Sequence, residues 1–293
     1  MSTFIIFGAT GAVGGFLLPH LLARGERIHA PSRNPSTAAA AGVTWTHGDL
    51  YGEVGSLPPR ADCLISLGPL DAFAAWFART PVAGVRRVLA LSSMSADSKS
   101  ESADAHERAL AQRLRAAEAL LATTADARGV GWTVFRPTLI YGSGRDRSLA
   151  PIARFARRWR VLPLPLGAHG LRQPVHAADL AQAIVQALDC APSCGKTYAL
   201  GGGERLSFTA LLRRIGAAIP GFVLPVPLPS FVLRAALAVR ARGQPLQPGA
   251  AALQRLGVAL IADNSAAVAD FGYAPRAFVA ADVLAAGTPQ RRT

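Results

Sequence analysis

The residues best suited to chemistry stand near the N-terminus, where three glycines follow a short apolar run. The run is Phe4-Ile-Ile-Phe7, the glycines are Gly8, Gly11 and Gly14, and an apolar-periodic segment follows over residues 16–25. Glycines let a backbone turn sharply and approach a ligand closely, and a helix N-terminus offers unpaired N–H groups and a positive dipole end. The order of strand, glycines and helix predicts a cradle for a pyrophosphate; a glycine-rich turn without a ligand is the alternative.

The end of the second candidate strand indicates which dinucleotide the cradle would hold. It reads His29-Ala-Pro-Ser32-Arg33, where an NAD site usually carries an Asp or Glu for the ribose 2′-hydroxyl. A hydroxyl and a guanidinium suit a 2′-phosphate instead, because arginine binds phosphate through two parallel hydrogen bonds. We therefore expect NADP, with NAD as the alternative. Arg33 could also stack on the adenine or face solvent.

Later strand ends should continue the same site, because ligands of parallel sheets bind at the carboxyl edge. Asp49 follows the third strand and could accept a hydrogen bond from an adenine amino group. Together with the motif residues Thr10, Ala12 and Val13, the cofactor contacts predicted at these ends are Asp49, Leu50, Ser66, Leu67, Gly68, Ser92 and Pro137. Each is common after a strand, and their order along the chain carries the prediction.

Short apolar runs alternate with helical patterns through the first two thirds of the chain. The longest helical pattern covers residues 103–122, and Pro19 falls inside the first helix. Alternation of this kind predicts an α/β fold with a Rossmann-type, doubly wound parallel sheet. The candidate strands are Phe4–Phe7, Arg27–Ala30, Val43–Thr46, Cys63–Leu67, Val88–Leu91 and Thr133–Arg136.

Composition limits the classes of partner and compartment. The 293 residues are 51% hydrophobic and carry a net charge of +13, almost all from arginine. The basic residues are scattered and match no nucleic-acid motif, so we expect no nucleic-acid partner and a mostly solvated basic surface. Three cysteines make neither a disulfide framework nor a zinc site, so we expect no metal and a cytoplasmic location.

Residues 222–239 form the most apolar stretch of the chain. Pro225, Pro227, Pro229 and Arg234 interrupt it, so we expect no transmembrane segment. The stretch could lie on a membrane surface or cover an active site. Within it, Phe231, Val232, Leu233, Ala236 and Leu237 form an apolar stripe at helical spacing, for which packing over a cleft is the simpler interpretation.

Several further segments carry a family resemblance that spans nearly the whole chain. They are Gly48-Asp-Leu50, Leu91-Ser-Ser93, Phe135-Arg-Pro-Thr-Leu-Ile-Tyr-Gly142, Gln173-Pro-Val-His-Ala-Ala-Asp-Leu-Ala181 and Lys196-Thr-Tyr-Ala-Leu-Gly-Gly202. With the glycine motif, they resemble the extended and atypical short-chain dehydrogenase/reductases, the NAD-dependent epimerase/dehydratase family. Residues 271–278 are similar to the ending of relatives of the complex I dehydrogenase-like accessory subunit.

The resemblance implies two domains. A Rossmann domain would cover residues 1–140, with residues 175–200 returning to it. A smaller, substrate-covering domain would comprise residues 141–174 and 201–293. The helical segment 103–122 is a common dimer surface in the family, so a homodimer is an open alternative.

Catalytic members of the family use a Ser or Thr, a Tyr, and a Lys four residues after the Tyr. This chain lacks the pair, because Gly55, Arg145, Gly202 and Ala277 stand four residues after its tyrosines. If Glu118 matches the family's glutamate, Leu110 and Leu114 occupy the tyrosine and lysine positions. If the chain is aligned on Leu91-Ser-Ser93, the usual catalytic hydroxyl would fall at Met94, with Ser93 and Ser95 on either side.

Three residues could substitute in catalysis. His106 lies one helical turn before Leu110, has a pKa suited to acid–base work, and is otherwise a helix-terminus residue. Tyr141 lies near the nicotinamide end in family members, mostly in a positional role. Ser93 could hydrogen-bond a carbonyl or the nicotinamide, or only cap its strand.

Other polar residues are predicted to shape or line the substrate-covering part. His176 and Asp179 should be structural, with Asp179 as the N-cap of a helix over residues 180–188. Arg145, Arg147 and Arg172 could meet an anionic substrate, or be ordinary surface arginines.

Two functions remain open. The first is an NADP(H)-dependent oxidoreductase that transfers hydride to an unknown small apolar or activated carbonyl substrate without the usual pair. The second is a non-catalytic dinucleotide-binding scaffold, assembly factor or redox sensor.

Overall fold

The computed structural model describes residues 1–35, 42–144, 146, 148–229, 232 and 256–284. Its central element is a seven-stranded parallel sheet. In chain order the strands and helices are β1 (Thr3–Phe7), α1 (Gly14–Ala23), β2 (Arg27–Ser32), β3 (Val43–His47), β4 (Cys63–Ser66), α2 (Leu70–Arg79), β5 (Arg87–Leu91), α3 (Ser95–Ser98), α4 (Ala105–Ala127), β6 (Gly131–Pro137), β7 (Ile140–Tyr141), α5 (Leu149–Trp159), β8 (Val161–Pro165), β9 (Leu171–Arg172), β10 (Val175–His176), α6 (Ala177–Leu188), β11 (Lys196–Leu200), β12 (Leu206–Ser207), α7 (Phe208–Ala218), β13 (Leu224–Leu228), α8 (Ser265–Phe271) and α9 (Ala281–Leu284). A single 3-10 turn, Ala191–Ser193, joins α6 to β11.

The order of strands changes direction between β1 and β4. The sheet runs β11-β6-β5-β4-β1-β2-β3, and every pairing within it is parallel. The chain therefore reverses direction across the sheet after β3, and a crevice opens at that point along the carboxyl edge. This confirms the predicted α/β class and doubly wound parallel sheet.

Helices cover both faces of the sheet, which is why its central strands β1, β4 and β5 are buried along nearly their whole length rather than on alternate residues. Helices α1 and α6 pack together on one face, over a core that includes Ile6, Leu17 and Ile184. Helices α2 and α4 pack on the other face, over a core that includes Phe7, Phe73 and Leu121. Burial on both faces anchors the loops at the carboxyl edge.

The observed elements extend and correct the predicted ones. The six candidate strands are present, most of them one or two residues longer, and Lys196–Leu200 forms the seventh strand of the main sheet. Helices α2 and α5 had no explicit prediction. Asp179 is not the N-cap of α6: the helix begins three residues earlier than predicted, and His176 caps it. The boundaries of the two predicted domains stay a prediction.

Two proline-rich segments pair with each other. Strands β8 and β13 form a parallel two-stranded sheet in which Leu224 lies opposite Val161 and Leu228 opposite Pro165. Prolines alternate with apolar residues in both strands. Because successive N–H groups of a strand point to opposite edges, the prolines remove donors from one edge only, and the N–H groups on the other edge can still donate. Leu166 and Leu224 do so, to the carbonyls of Leu228 and Arg160.

Candidate functional site

The first and third glycines of the motif each stand where a side chain would collide with backbone. Gly8 has φ +75°, and a Cβ there would lie 2.8 Å from the Gly68 nitrogen. A Cβ on Gly14 would overlap the Ala9 carbonyl, so α1 packs directly against the end of β1. The second glycine, Gly11, donates its N–H to the Gly8 carbonyl (2.9 Å) and closes the turn. These are the roles that a dinucleotide-binding motif requires of its glycines.

The motif turn meets the end of β4, so residues far apart in sequence form one edge. Leu67 donates its N–H to the Phe7 carbonyl (2.9 Å), which fixes the turn after β4 beside Gly8. The Leu50 side chain lies 3.9 Å from the Cβ position of Gly68. The structure therefore brings together the predicted cofactor residues at the ends of β1, β3 and β4. Thr10 and Ala12 are half-buried, and Val13 is buried as the residue before α1.

The end of β2 presents a cation beside this edge. Arg33 is exposed, and no described residue forms an ion pair with it. The hydroxyl of Ser32 donates to the Asn34 carbonyl (3.1 Å) and accepts from its N–H (3.2 Å), which holds the strand end in a tight turn. This turn sets the position from which Arg33 projects.

Asp49 shapes the loop after β3. Its carboxylate accepts from the Tyr51 N–H (3.1 Å), and its carbonyl accepts from the Gly52 N–H (3.1 Å). The Tyr51 hydroxyl donates to Asp71 (3.0 Å), which ties the loop to α2. Asp49 is half-buried and keeps its second carboxylate oxygen for another donor.

The remaining predicted contacts, at the ends of β4, β5 and β6, are more enclosed. Ser66 is fully buried and its hydroxyl has no partner among the described residues. Pro137 is buried, and its carbonyl accepts from the Met94 N–H (3.1 Å). Ser92 donates its hydroxyl to the Glu118 carboxylate. These three positions follow the ends of neighbouring strands of the sheet.

An ion-pair network occupies the region between β5, β6 and α4. The Arg136 guanidinium donates to Glu118 (3.0 Å from Nε) and to Asp97 (2.7 Å from Nη1). The Glu118 side chain is 9% exposed and that of Arg136 is 21% exposed. Hydrogen bonding to Glu118 raises the pKa of Arg136 above its ordinary value, so the guanidinium remains charged. Glu118 was noticed in the sequence, but its partner Arg136 was not, because Arg136 lies on β6 and Glu118 lies on α4.

The two leucines that the resemblance sets at the positions of the catalytic pair lie on one helix. Leu110 and Leu114 of α4 are half-buried. His106 is exposed in the first turn of α4, and its N–H donates to the N-cap carboxylate of Asp104 (2.8 Å). Ser93 is half-buried, and its hydroxyl oxygen accepts from the Ser95 N–H (3.1 Å), which leaves the hydroxyl proton available.

Tyr141 lies inside the core rather than in the crevice. It is fully buried, and its hydroxyl accepts a hydrogen bond from the Val279 N–H (3.1 Å). Its ring packs edge-on against His176 (5.1 Å between centroids) and against Phe278 (4.9 Å). Burial raises the pKa of Tyr141 above its ordinary value. The geometry gives this tyrosine a structural role.

Of the three arginines that could meet an anionic substrate, one is buried and two lie outside the described residues. Arg172 is buried, donates to the Val258 carbonyl (2.7 Å), and lies over the Phe208 ring. Arg145 and Arg147 lie outside the described residues, as do Phe231, Leu233, Ala236 and Leu237 of the apolar stripe. In the described part of the chain, His, Cys, Asp and Glu side chains nowhere gather in threes to hold a metal ion. None of its helices combines the length and hydrophobicity of a membrane span.

No protein-family model matches the chain. Among curated proteins it is 29% identical over 231 residues to the NADH dehydrogenase [ubiquinone] 1 alpha subcomplex subunit 9, mitochondrial, of Arabidopsis thaliana, over 68% of this chain and 53% of that protein. The same subunit of Mus musculus is 31% identical over 51% of this chain and 37% of that protein. The chain thus spans about half, or less, of the length of these curated relatives.

Solved structures match over nearly the full length. A UDP-glucuronic acid 4-epimerase from Bacillus cereus in complex with NAD superposes with a TM-score of 0.71 at 12% identity, covering 96% of each chain. A short-chain dehydrogenase/reductase superfamily protein from Agrobacterium tumefaciens with bound NAD gives a TM-score of 0.68 at 15% identity, covering 99% of this chain and 97% of that one. These structures share the Rossmann-type α/β fold of this chain.

The C-terminal segment is fastened to the main sheet through α6. Arg276 donates to Asp179 from its N–H (3.0 Å) and its Nε (2.8 Å), across 97 residues of sequence. Tyr273 donates its hydroxyl to the Gly201 carbonyl (3.0 Å). The prediction that His176 and Asp179 are structural agrees with this geometry: Asp179 binds Arg276, and the Nδ1 of His176 accepts from the Ala178 N–H (3.1 Å).

The His176 cap should make the stability of the protein depend on pH. Burial and the nearby Arg276 lower the pKa of His176, although Asp282 lies 3.5 Å from its Nε2 and opposes them. The unfolded chain therefore binds more protons between that lowered pKa and the ordinary value of about 6.5, so stability is complete above about pH 7 and falls as the pH drops through this window. We expect the urea concentration at the unfolding midpoint to decrease when the pH is lowered from 7.5 to 5.5.

The matched variant is His176→Asn, since asparagine keeps an N-cap acceptor but does not titrate. It should flatten the pH slope of the urea midpoint relative to the wild type, while the remaining slope reports other groups such as His29, whose pKa burial also lowers. An unchanged slope in His176→Asn would assign the pH dependence elsewhere.

Proposed function

We propose that this chain binds NADP(H) in the crevice between β1 and β4 and holds it without a tyrosine–lysine proton relay. The observation that carries the proposal is the glycine turn. Gly8 and Gly14 leave no room for a Cβ, which brings the backbone and the α1 N-terminus to a position suited to a pyrophosphate. The NAD-bound structures that share the fold support a dinucleotide at this edge.

The end of β2 favours the phosphorylated dinucleotide. Arg33 is exposed beside the crevice, and the Ser32 position carries a hydroxyl where an NAD site usually has a carboxylate. An acidic residue there would repel a 2′-phosphate, whereas a guanidinium pairs with it. Leu50 and Asp49 would face the adenine side of the same edge, with Asp49 offering a carboxylate oxygen.

The region near the expected nicotinamide lacks the usual acid. Leucines stand at the two helix positions, and the Tyr141 hydroxyl is engaged in the core. The network of Arg136, Glu118 and Ser92 ties the ends of β5 and β6 to α4, and its polar groups bind one another. A stoichiometric holder of the cofactor fits these features best, and the NADH dehydrogenase subunits among its relatives support a place in a larger assembly.

A second candidate is hydride transfer to an acceptor that takes its proton from water. Bound NADPH would supply the hydride. Ser93 favours this candidate, because its hydroxyl proton is available to orient a carbonyl near the end of β5. Oxidation of NADPH with a panel of enones and activated carbonyls tests it: turnover that drops in Ser93→Ala supports the candidate, and no turnover with any acceptor excludes it for that panel.

Calorimetric titration with NADP⁺ and NAD⁺ tests the main proposal. Wild type should bind NADP⁺ much more tightly than NAD⁺. Arg33→Asp should weaken NADP⁺ by about tenfold to a hundredfold, which corresponds to one charge-assisted hydrogen bond, and leave NAD⁺ unchanged or stronger.

The matched control is Arg79→Asp, an exposed arginine at the end of α2 with the same change in charge. It should alter NADP⁺ affinity less than twofold. Equal losses in both variants would attribute the effect to net charge, and binding of neither dinucleotide by wild type would contradict the proposal.

A further inference from the structure

We propose that helix α5 and the neighbouring Phe222 form a docking face for an anionic phospholipid bilayer. The face consists of Phe155, Trp159 and Phe222 together with Arg154, Arg157 and Arg158, and we call it the arginine–aromatic face. It lies outside the dinucleotide crevice and does not depend on the proposed cofactor.

Helical spacing places the aromatic and basic residues side by side. Arg154 and Arg158 are four residues apart, as are Phe155 and Trp159, so each pair lies on one side of the helix and the two sides adjoin. Arg157 follows Arg154 by three residues and therefore flanks the basic side of the face, away from the aromatic residues. The opposite face buries Leu149, Ala153 and Ala156 against the body of the protein. Helix α5 is therefore anchored through Leu149 and two alanines, and it directs its two aromatic side chains outward.

The aromatic side chains are far more exposed than packing alone requires. Phe155 is 46% exposed, Trp159 is 60% exposed and Phe222 is 76% exposed. Phe222 belongs to the same surface because Leu224, two residues later, donates its N–H to the Arg160 carbonyl at the end of α5 (2.9 Å). Exposed Trp and Phe beside arginines are typical of proteins that rest in the interfacial region of a membrane.

The charge of the face matches an anionic surface. Arg154, Arg157 and Arg158 are exposed and form no ion pair with any described residue. The sequence contains no Asp or Glu from residue 148 to residue 178. Since arginines near an anionic bilayer contribute additively and within about a Debye length, three on one helix give substantial attraction.

A bilayer fits this face better than a nucleic acid does. Bases stack on aromatic residues that line a groove or a sheet. Here two aromatics project from a convex helix, and the third extends from an adjoining turn. Shallow insertion of apolar side chains between headgroups requires such a protruding arrangement.

Vesicle flotation of the full chain tests the inference. Wild type should associate with phosphatidylcholine vesicles that contain one third phosphatidylglycerol, weakly with pure phosphatidylcholine, and less as salt rises. The triple variant R154Q/R157Q/R158Q should lower association by about a hundredfold, because each arginine contributes roughly fivefold. The control R27Q/R60Q/R79Q removes three exposed arginines elsewhere and should change association less than twofold.

Tryptophan emission locates the contact. Trp159 is the most exposed of the four tryptophans, so vesicle binding should shift the emission to shorter wavelength, and Trp159→Phe should still bind but lose that shift. Equal binding to neutral vesicles, equal losses in the two triple variants, or binding of duplex DNA without vesicle binding would overturn the inference.

Discussion

Replacing Gly14 by alanine should destabilise the protein by about 3 kcal/mol and weaken NADP⁺ binding about tenfold or more. The added Cβ would overlap the Ala9 carbonyl, which is backbone and cannot rotate away. Helix α1 must therefore shift from the end of β1, at a cost in the range of severe overpacking. The shift also moves the N–H groups at the start of α1, each of which would contribute a charge-assisted hydrogen bond to a phosphate. Urea denaturation and calorimetric titration measure the two effects.

The neighbouring glycine provides the matched control. Gly15 is exposed in the first turn of α1, and a Cβ there would meet no atom within 4 Å. Gly15→Ala should raise stability by about 0.5–1 kcal/mol, because alanine loses less conformational entropy in a helix than glycine does. If both variants behaved alike, the close approach of α1 to β1 could not be the feature that shapes the cradle.

The variant Arg136→Leu should cost about 2–3 kcal/mol of stability. It leaves the Glu118 carboxylate, whose side chain is 9% exposed, without its principal cation. Removing one partner of a largely buried pair costs more than the pair contributes, because the remaining charge stays desolvated. The expected loss of stability is smaller than for a fully buried pair, since the Arg136 side chain is 21% exposed. Chemical denaturation at neutral pH gives the difference.

Two further variants distinguish the loss of the Arg136–Glu118 ion pair from the effect of removing any arginine. The double variant Arg136→Leu/Glu118→Leu removes both charges and should recover most of the loss. Arg115→Gln removes an exposed partner of the same Asp97 (3.3 Å) and should change stability by less than about 0.5 kcal/mol. A double variant as unstable as Arg136→Leu alone would show that the guanidinium stabilises through packing and not through Glu118.

Features that depend on residues close together in the sequence could be predicted from the sequence, and contacts between distant segments could not. The individual strands, the glycine turn and the first helix were predictable because each follows from residues within about fifteen positions of one another. The missing tyrosine–lysine pair was equally visible, since its spacing is local. The predicted N-cap of α6 was wrong because both His176 and Asp179 are suited to a helix N-terminus. Only the course of the backbone decides which of them caps the helix.

Contacts between distant segments needed the tertiary structure. Arg276 and Asp179 are 97 residues apart, and Arg136 and Glu118 lie on different elements. The proline-rich segments 161–165 and 224–228 read as loops separately, yet they pair when the chain brings them together.

The sequence by itself determined the fold class, the position of the glycine turn and the lack of a tyrosine with a lysine four residues later, because local residue type and spacing fix these properties. Only the tertiary structure decided that Tyr141 is a core residue, that Arg136 and Glu118 pair behind the crevice, and that α5 directs its aromatic residues outward. The physical reason is burial: whether a side chain is enclosed, paired or exposed depends on what the rest of the chain packs against it.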